Sequence, residues 1–306
     1  MRFYNRESEL NTLNEIKELS LNSSKMTVVI GRRRIGKTKL ILKSAENDKS
    51  LYLFVARKDE KLLCNEFIHE AKSKLGIDVF GNFENFRDLF GFLLNTSINN
   101  PFTLIIDEFQ EFNRINPSLF SDLQNLWDQN KEKTKLNLIF CGSVYSMMKR
   151  IFENSKEPLF GRADEKIYLK PFNTNVLKQI FTDYSGGFNP KEFLAFYILT
   201  GGVPKYVEYF IDRKALSLNK MLNVILKENS LFLEEGKNIL IEEFGKDYAV
   251  YFSILSLIAS SKNSRSEIES ILNKNTGGYL DKLENEYNII KKIKPVFSKQ
   301  GSRTQR

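Results

Sequence analysis

Histidine is almost missing from this chain: His69 is the one copy in 306 residues. A metal centre built on several imidazoles is therefore excluded. A Ser-His-Asp triad would have to use His69, which falls in an ordinary helical stretch. Cysteine is nearly as scarce, and Cys64 and Cys141 stand far apart. Neither a disulfide framework nor a zinc spacing can be assembled from them. Long apolar runs are lacking too. The greasiest stretch, Tyr251 to Ala259, is far too short to cross a bilayer. The amino terminus, MRFYNRESEL, is charged where a signal peptide needs an apolar segment. No membrane partner is expected, and the expected location is cytoplasmic.

What remains is ordinary globular material, 42% hydrophobic and 27% charged. The length suits roughly two domains of about 150 residues each. Lys and Arg total 46 against 38 for Asp and Glu, a formal charge of +8. Much of that excess is local: Lys291, Lys292, Lys294, Lys299, Arg303 and Arg306 follow Asn288 with no acid among them. Charge alone leaves open a solvated basic tail and a phosphate-contacting patch.

Apolar spacing at Leu10, Leu13, Ile16 and Leu19 predicts a helix over 7–19. Met26 to Ile30 is short, β-branched and bounded by polar residues and Gly31, the pattern of a buried strand. A helix is expected from Lys37, with Leu40, Ile41 and Ala45 on its inner face. Leu51 to Val55, Thr103 to Ile106, Leu136 to Phe140 and Lys166 to Leu169 read as further strands. Helical stretches fall between them at 60–75, 83–94 and 118–129. Strands alternating with helices imply βαβ units and a mainly parallel sheet. After Pro171 the pattern turns helical.

Gly31-Arg32-Arg33-Arg34-Ile35-Gly36-Lys37-Thr38 fits G-x-x-x-x-G-K-[ST] at every fixed position, directly after a predicted strand and before a predicted helix. In that context the glycines let consecutive N–H groups face inward, and the helix start adds positive potential. Lys37 would reach the β/γ-phosphates of a nucleotide, and the Thr38 hydroxyl would ligate Mg²⁺. Lys39 and the three arginines border the same loop, with at least one of the arginines expected in solvent.

A phosphate loop calls for an acid at the end of another buried strand, and Asp107 and Glu108 follow Thr103 to Ile106. Asp107 would serve Mg²⁺, while Glu108 would orient and polarise an attacking water. Ser143, after the strand ending in Phe140-Cys141-Gly142, is placed to sense the γ-phosphate or to cap the next helix. Arg162 stands shortly before the last strand. It would stabilise γ-phosphate charge, in cis or across a subunit contact, or lie at the surface.

These pieces in this order resemble the archaeal-type ATPase family, a branch of the P-loop NTPases related to AAA+ and STAND proteins. The resemblance rests on Phe3 to Leu10, Gly31 to Thr38, Leu104 to Gln110, Cys141 to Ser143, Pro158 to Arg162 and Gly201 to Tyr206, and spans about residues 1–210. It implies ATP and Mg²⁺ as cofactors; no guanine-reading N-K-x-D motif occurs. It also implies that Asn5-Arg6-Glu7 borders the adenine pocket. Gly202-Val203-Pro204 looks like the STAND GxP motif, with Pro204 packing on the base from a helical lid.

The expected architecture is a RecA/AAA-like P-loop core with a parallel sheet (1–170), a helical lid (171–244) and a winged-helix domain (245–306). In the last part, Ser264 and Glu267 are spaced as a capping box. Gly277-Gly278 would break the chain before a helix at 279–287, and Ile289 to Phe297 reads as a wing strand. Double-stranded DNA is the candidate partner of this part, although Asp281, Glu284 and Glu286 on its reading helix oppose phosphate. A homo-oligomer or a protein partner is also open. Members of the family usually continue past the wing into a nuclease-like domain, so a truncated chain is expected here. The activity expected is ATP hydrolysis coupled to movement of the lid and the winged helix. The alternatives are a slow regulatory switch and a DNA-binding module with a structural ATP site.

Overall fold

The computed structural model describes residues 1–79, 81–228, 230–287 and 289–293. They form two compact units, Met1–Lys227 and a second that begins at Glu228.

The first unit opens with α1 (Glu7–Ser20), β1 (Lys25–Ile30), α2 (Lys37–Ser44), β2 (Ser50–Phe54), α3 (Glu60–Leu75) and α4 (Phe86–Thr96). Next come β3 (Phe102–Asp107), α5 (Phe112–Ile115), α6 (Leu119–Asn130), β4 (Leu136–Gly142), α7 (Tyr145–Glu153) and β5 (Glu165–Tyr168). The five strands pair in the order β2-β3-β4-β1-β5, all parallel. Each of the five strands expected before Pro171 is present within two residues of its expected bounds. The reason is burial on both faces, which makes the central strands near-continuous apolar runs.

Alternation along the strands sorts those residues into two layers. Met26, Val28 and Ile30 of β1 join Leu104 and Ile106 of β3 and Phe140 of β4 in a phenylalanine-rich core beneath α3, α4, α6 and α7. Val29, Ile105, Ile139 and Cys141 face the other way, against Leu13 of α1 and Leu40 and Ile41 of α2. Asp107 lies two residues beyond Ile105, so its side chain shares the α2 face.

Four helices complete this unit: α8 (Thr174–Ser185), α9 (Pro190–Thr200), α10 (Pro204–Asp212) and α11 (Leu218–Ile225). Their starts are written in the sequence. Asn173 accepts from the Val176 N–H, Asn189 accepts from the Lys191 N–H, and proline opens both α9 and α10.

The second unit holds α12 (Leu231–Phe244), α13 (Tyr248–Ala259), α14 (Arg265–Leu272) and α15 (Gly277–Asn285). Residues 171–244 were expected to stay together. Instead the first unit ends at Lys227, because Phe244 packs with Tyr251, Ile254, Ile268 and Leu283 in a separate core. The glycine pair does not break the chain ahead of α15 but starts that helix. The Ile289 to Phe297 segment is no strand over 289–293. There the Ile289 N–H donates to the Leu283 carbonyl (2.8 Å), turning the chain back over α15. Lys294, Lys299, Arg303 and Arg306 lie outside the described residues. Among the described residues no helix is long and apolar enough to cross a membrane.

Candidate functional site

The site grows from the carboxyl ends of β1, β3 and β4, where parallel strands leave their loops on one edge. After Ile30 the chain enters the loop Gly31 to Gly36, and Gly36 closes it at φ 91° as the N-cap of α2. A side chain is disfavoured in that left-handed conformation, which is why glycine stands there. Ile35 is buried beneath the loop, Arg33 is exposed, and Arg32 and Arg34 are half-buried. The Lys37 ammonium is buried and folds back over the loop, donating to the carbonyls of Gly31 (2.7 Å) and Arg32 (3.1 Å). Lys39 turns outward instead, 3.8 Å from Glu208 of α10.

Asp107 ends β3 with its carboxylate fully engaged. Its Oδ2 accepts from the hydroxyls of Thr38 (2.9 Å) and Tyr52 (2.7 Å). Its Oδ1 accepts from the Cys141 thiol (2.7 Å) and the Glu108 N–H (2.9 Å). Burial, and then the adjacent carboxylate, push the Tyr52 phenol and the Cys141 thiol well above their ordinary pKa values. Both therefore remain protonated donors at neutral pH.

Glu108 turns sharply out of the strand at φ 56°, a left-handed conformation that costs an ordinary side chain about 1–2 kcal/mol. Strain of this kind concentrates where a side chain must be aimed. Here it swings the carboxylate across to the end of β4. Oε1 accepts from the Ser143 hydroxyl (2.5 Å), and Oε2 accepts from the Gln110 amide (2.5 Å) and the Ser143 N–H (3.2 Å). The Lys37 ammonium lies 3.4 Å from the same Ser143 hydroxyl. The structure thus brings Lys37, Thr38, Asp107, Glu108 and Ser143 together.

Arg162 is not brought to them. The Asp164 N–H donates to the Met26 carbonyl, so Arg162 lies beside the amino end of β1. The phosphate loop follows the other end of that six-residue strand, roughly 20 Å away at about 3.3 Å per residue. Arg162 is held there by Asp128 (2.8 Å) and by the carbonyl of Pro158 (2.7 Å). A role in cis at this loop is therefore excluded by distance.

The amino-terminal segment does reach the edge of the site. Arg6 is buried, donates to the Lys170 carbonyl (2.6 Å) and lies 5.3 Å from the centre of the Phe172 ring. The Gly202 carbonyl accepts from the Phe172 N–H (2.8 Å), and a Cβ on Gly202 would stand 2.4 Å from the Phe172 carbonyl oxygen. Only glycine permits that approach, which seats Pro204 and α10 beside the exit of β5. The Lys205 N–H, in the first turn of α10, then meets the Arg34 carbonyl (3.3 Å). Between the amino-terminal segment and α8 lies a cavity of about 310 Å³, lined by Phe3, Tyr4, Asn5, Val176 and Gln179 among others.

Residues 3–210 match the family described as an ATPase domain predominantly from Archaea. The chain belongs to that family. An uncharacterized protein of Methanocaldococcus jannaschii is 31% identical over 274 residues, covering 88% of this chain and 57% of the relative. The chain thus spans little more than half the length of that relative. An uncharacterized ATP-binding protein of the same organism is 27% identical over 254 residues, covering 72% of this chain and 73% of its own. Among solved structures, the Walker-type ATPase of Pyrococcus abyssi superposes with a TM-score of 0.67 at 20% identity, over 93% of this chain and 90% of that one. The ORC2 protein of Aeropyrum pernix superposes at 0.55 and 15% identity, over 93% and 81%. The fold of this ATPase domain is accordingly a P-loop α/β fold, with the five-stranded parallel sheet described above.

Two participants escaped the sequence reading. Tyr52 lies in a run that reads as buried strand, and Gln110 reads as the tail of the acidic motif. A tyrosine inside a buried strand does carry a signal, since its hydroxyl needs a polar partner. Finding that partner required the register, in which Tyr52 pairs with Ile105, two residues before Asp107.

Proposed function

We propose that this chain is a Mg²⁺-dependent ATPase. In this reading α8–α11 form a lid over the base, and the second unit is a winged-helix-type module that follows nucleotide state. One observation carries the hydrolytic part: the Ser143 hydroxyl touches both Lys37, the phosphate-binding cation, and Glu108, the water-directed carboxylate. A γ-phosphate seated on the loop would meet that hydroxyl, so phosphate and base share one sensor.

Thr38 and Asp107 fit a magnesium ion. They are hard oxygen donors 2.9 Å apart at the loop's edge, the donor type that a magnesium ion would take. When bound, the ion neutralises phosphate charge. Lys37 adds a second positive charge, the α2 N–H groups orient the phosphates, and Glu108 takes up the proton of the attacking water. Arg6, Phe172 and Pro204 border the base. The Lys205 N–H on the Arg34 carbonyl, with Lys39 beside Glu208, gives the lid two points from which to sense the loop. Arg162 would serve a neighbouring copy across a subunit contact.

Slow turnover is favoured by a specific feature: both Glu108 oxygens are already hydrogen-bonded, so an attacking water must share the carboxylate with Ser143 and Gln110. Association with duplex DNA is the remaining element of the proposal. It rests on exposed Lys291 and Lys292, which follow α15.

The test is steady-state ATP turnover with and without duplex DNA, with Glu108→Gln as the comparison. Removing a general base typically costs about 10²–10⁴-fold, and the variant should lose that much while still binding ATP. Equal turnover in the two proteins would remove Glu108 from the reaction. A rate indifferent to DNA would leave the second unit without a nucleic-acid role.

A further inference from the structure

Among the described residues four donors hold the Asp107 carboxylate, two on each oxygen, and these four are uncharged. A lysine or arginine would restrain the group as firmly, but it would also cancel the charge that a divalent cation needs. Uncharged donors fix the orientation and leave the negative charge whole. Hydrogen bonds to a metal-directed carboxylate of this kind usually matter to the metal nearly as much as the ligands do.

Three of the four donors belong to segments already tied to the site. Thr38 ends the phosphate loop, the Glu108 N–H is the next peptide, and Cys141 leads into Ser143. Tyr52 is different. It comes from β2, the edge strand of the sheet, and no part of the phosphate-loop pattern asks for it. Its ring packs on the α2 face of the sheet beside Ile105, with which it is paired, and the phenol reaches along the strands to Oδ2. That is the oxygen the Thr38 hydroxyl also touches. Thr38 gives Oδ2 its one hydroxyl hydrogen and keeps its lone pairs for the ion, so Tyr52 supplies the second restraint on that oxygen. Cys141 grips the other oxygen from β4, so Tyr52 and Cys141 clamp the carboxylate from opposite sides.

We propose that Tyr52 is a positioning residue for the divalent cation. Its phenol fixes the plane of the Asp107 carboxylate so that Oδ2 stays beside the Thr38 hydroxyl. The inference rests on the nucleotide reading above and adds to it a residue from outside the phosphate-loop and acidic motifs.

The test uses the full chain, Mn²⁺ as the probe ion and ADP as the nucleotide. Bound Mn²⁺ is followed by electron paramagnetic resonance, and ADP affinity is measured separately in excess chelator. Tyr52→Phe keeps the ring and its packing and removes one oxygen. Mn²⁺ affinity in the ADP complex should fall about 10–100-fold, while metal-free ADP affinity stays within about twofold. Unchanged Mn²⁺ affinity would overturn the role of Tyr52. So would an equal loss in both measurements, which marks a general disturbance of the loop and not of the carboxylate. A wild-type chain that took up neither ADP nor Mn²⁺ would overturn the nucleotide reading itself, an outcome distinct from the other two.

Discussion

At the carboxyl edge of the sheet, side chains from β2, β3, β4 and the start of α2 meet within single hydrogen-bond lengths around Asp107 and Glu108. The unit that begins at Glu228 is held differently, by a small core around Phe244, Tyr251, Ile254, Ile268 and Leu283. The first arrangement needs particular atoms at particular places, so a wrong side chain leaves a charge or a donor stranded. The second needs apolar volume, and many sequences supply that. A site of fixed atoms leaves fixed spacings in the sequence, whereas a packed helical core leaves only a period.

Lys37→Ala tests the first half of that contrast and should have the largest effect. Its ammonium is buried and sits over the loop carbonyls, where the charge has no substitute. Losing one partner of a buried charge interaction costs about 2–5 kcal/mol. Titration calorimetry should therefore show ATP binding abolished or weakened by orders of magnitude. Retained micromolar affinity would mean that the loop does not bind phosphate through this lysine.

The same contrast explains how far the sequence could be read. The strands were legible because Val28, Val29, Ile105 and Ile139 lie in short β-branched runs buried on both faces. The phosphate loop was legible because its fixed positions stand between a strand and a helix. What stayed hidden depended on contacts between elements distant in the chain. Tyr52 on Asp107 needs the β2–β3 register, and Gly202 against Phe172 needs the fold of α8–α10. For Arg162 the sequence left the cis, subunit-contact and surface readings open, because proximity in sequence to the last strand says nothing about which end of the sheet it occupies. The wing strand failed for another reason. Ile289 and Ile290 alternate poorly with their lysines, and their side chains join the small core beside α15.

Ile254→Ala tests the second half. Ile254 is fully buried in α13, and removing its side chain leaves a cavity in a core of few members. Such truncations cost about 2–5 kcal/mol, the larger values where the surroundings cannot collapse. Amide hydrogen exchange along α13 should speed up accordingly. A loss of a few tenths would mean that the four helices close around the gap, and the unit would then be adaptable where the nucleotide site is not.

The smallest expected effect is at Ser264, where the second unit also depends on particular atoms. The Ser264 hydroxyl donates to the Glu267 carboxylate (2.7 Å) and accepts from the Glu267 N–H (3.3 Å), while the Ser264 N–H reaches the same carboxylate (3.3 Å). This capping box satisfies helix donors that would otherwise be left to water, and replacing such a serine by alanine costs about 1 kcal/mol. The hydroxyl and then the amide of Ser264 hold the Glu267 carboxyl below the usual carboxylate range. A lowered folded-state pKa means that the carboxylate contributes above its unfolded value, and that the contribution is lost as pH falls through the folded one. In Ser264→Ala the Glu267 titration should therefore move up toward the ordinary glutamate range, followed by the carboxyl carbon shift in nuclear magnetic resonance. An unmoved titration would show that the hydroxyl is not what holds the carboxylate, and the helix start would then rest on packing like the rest of its unit.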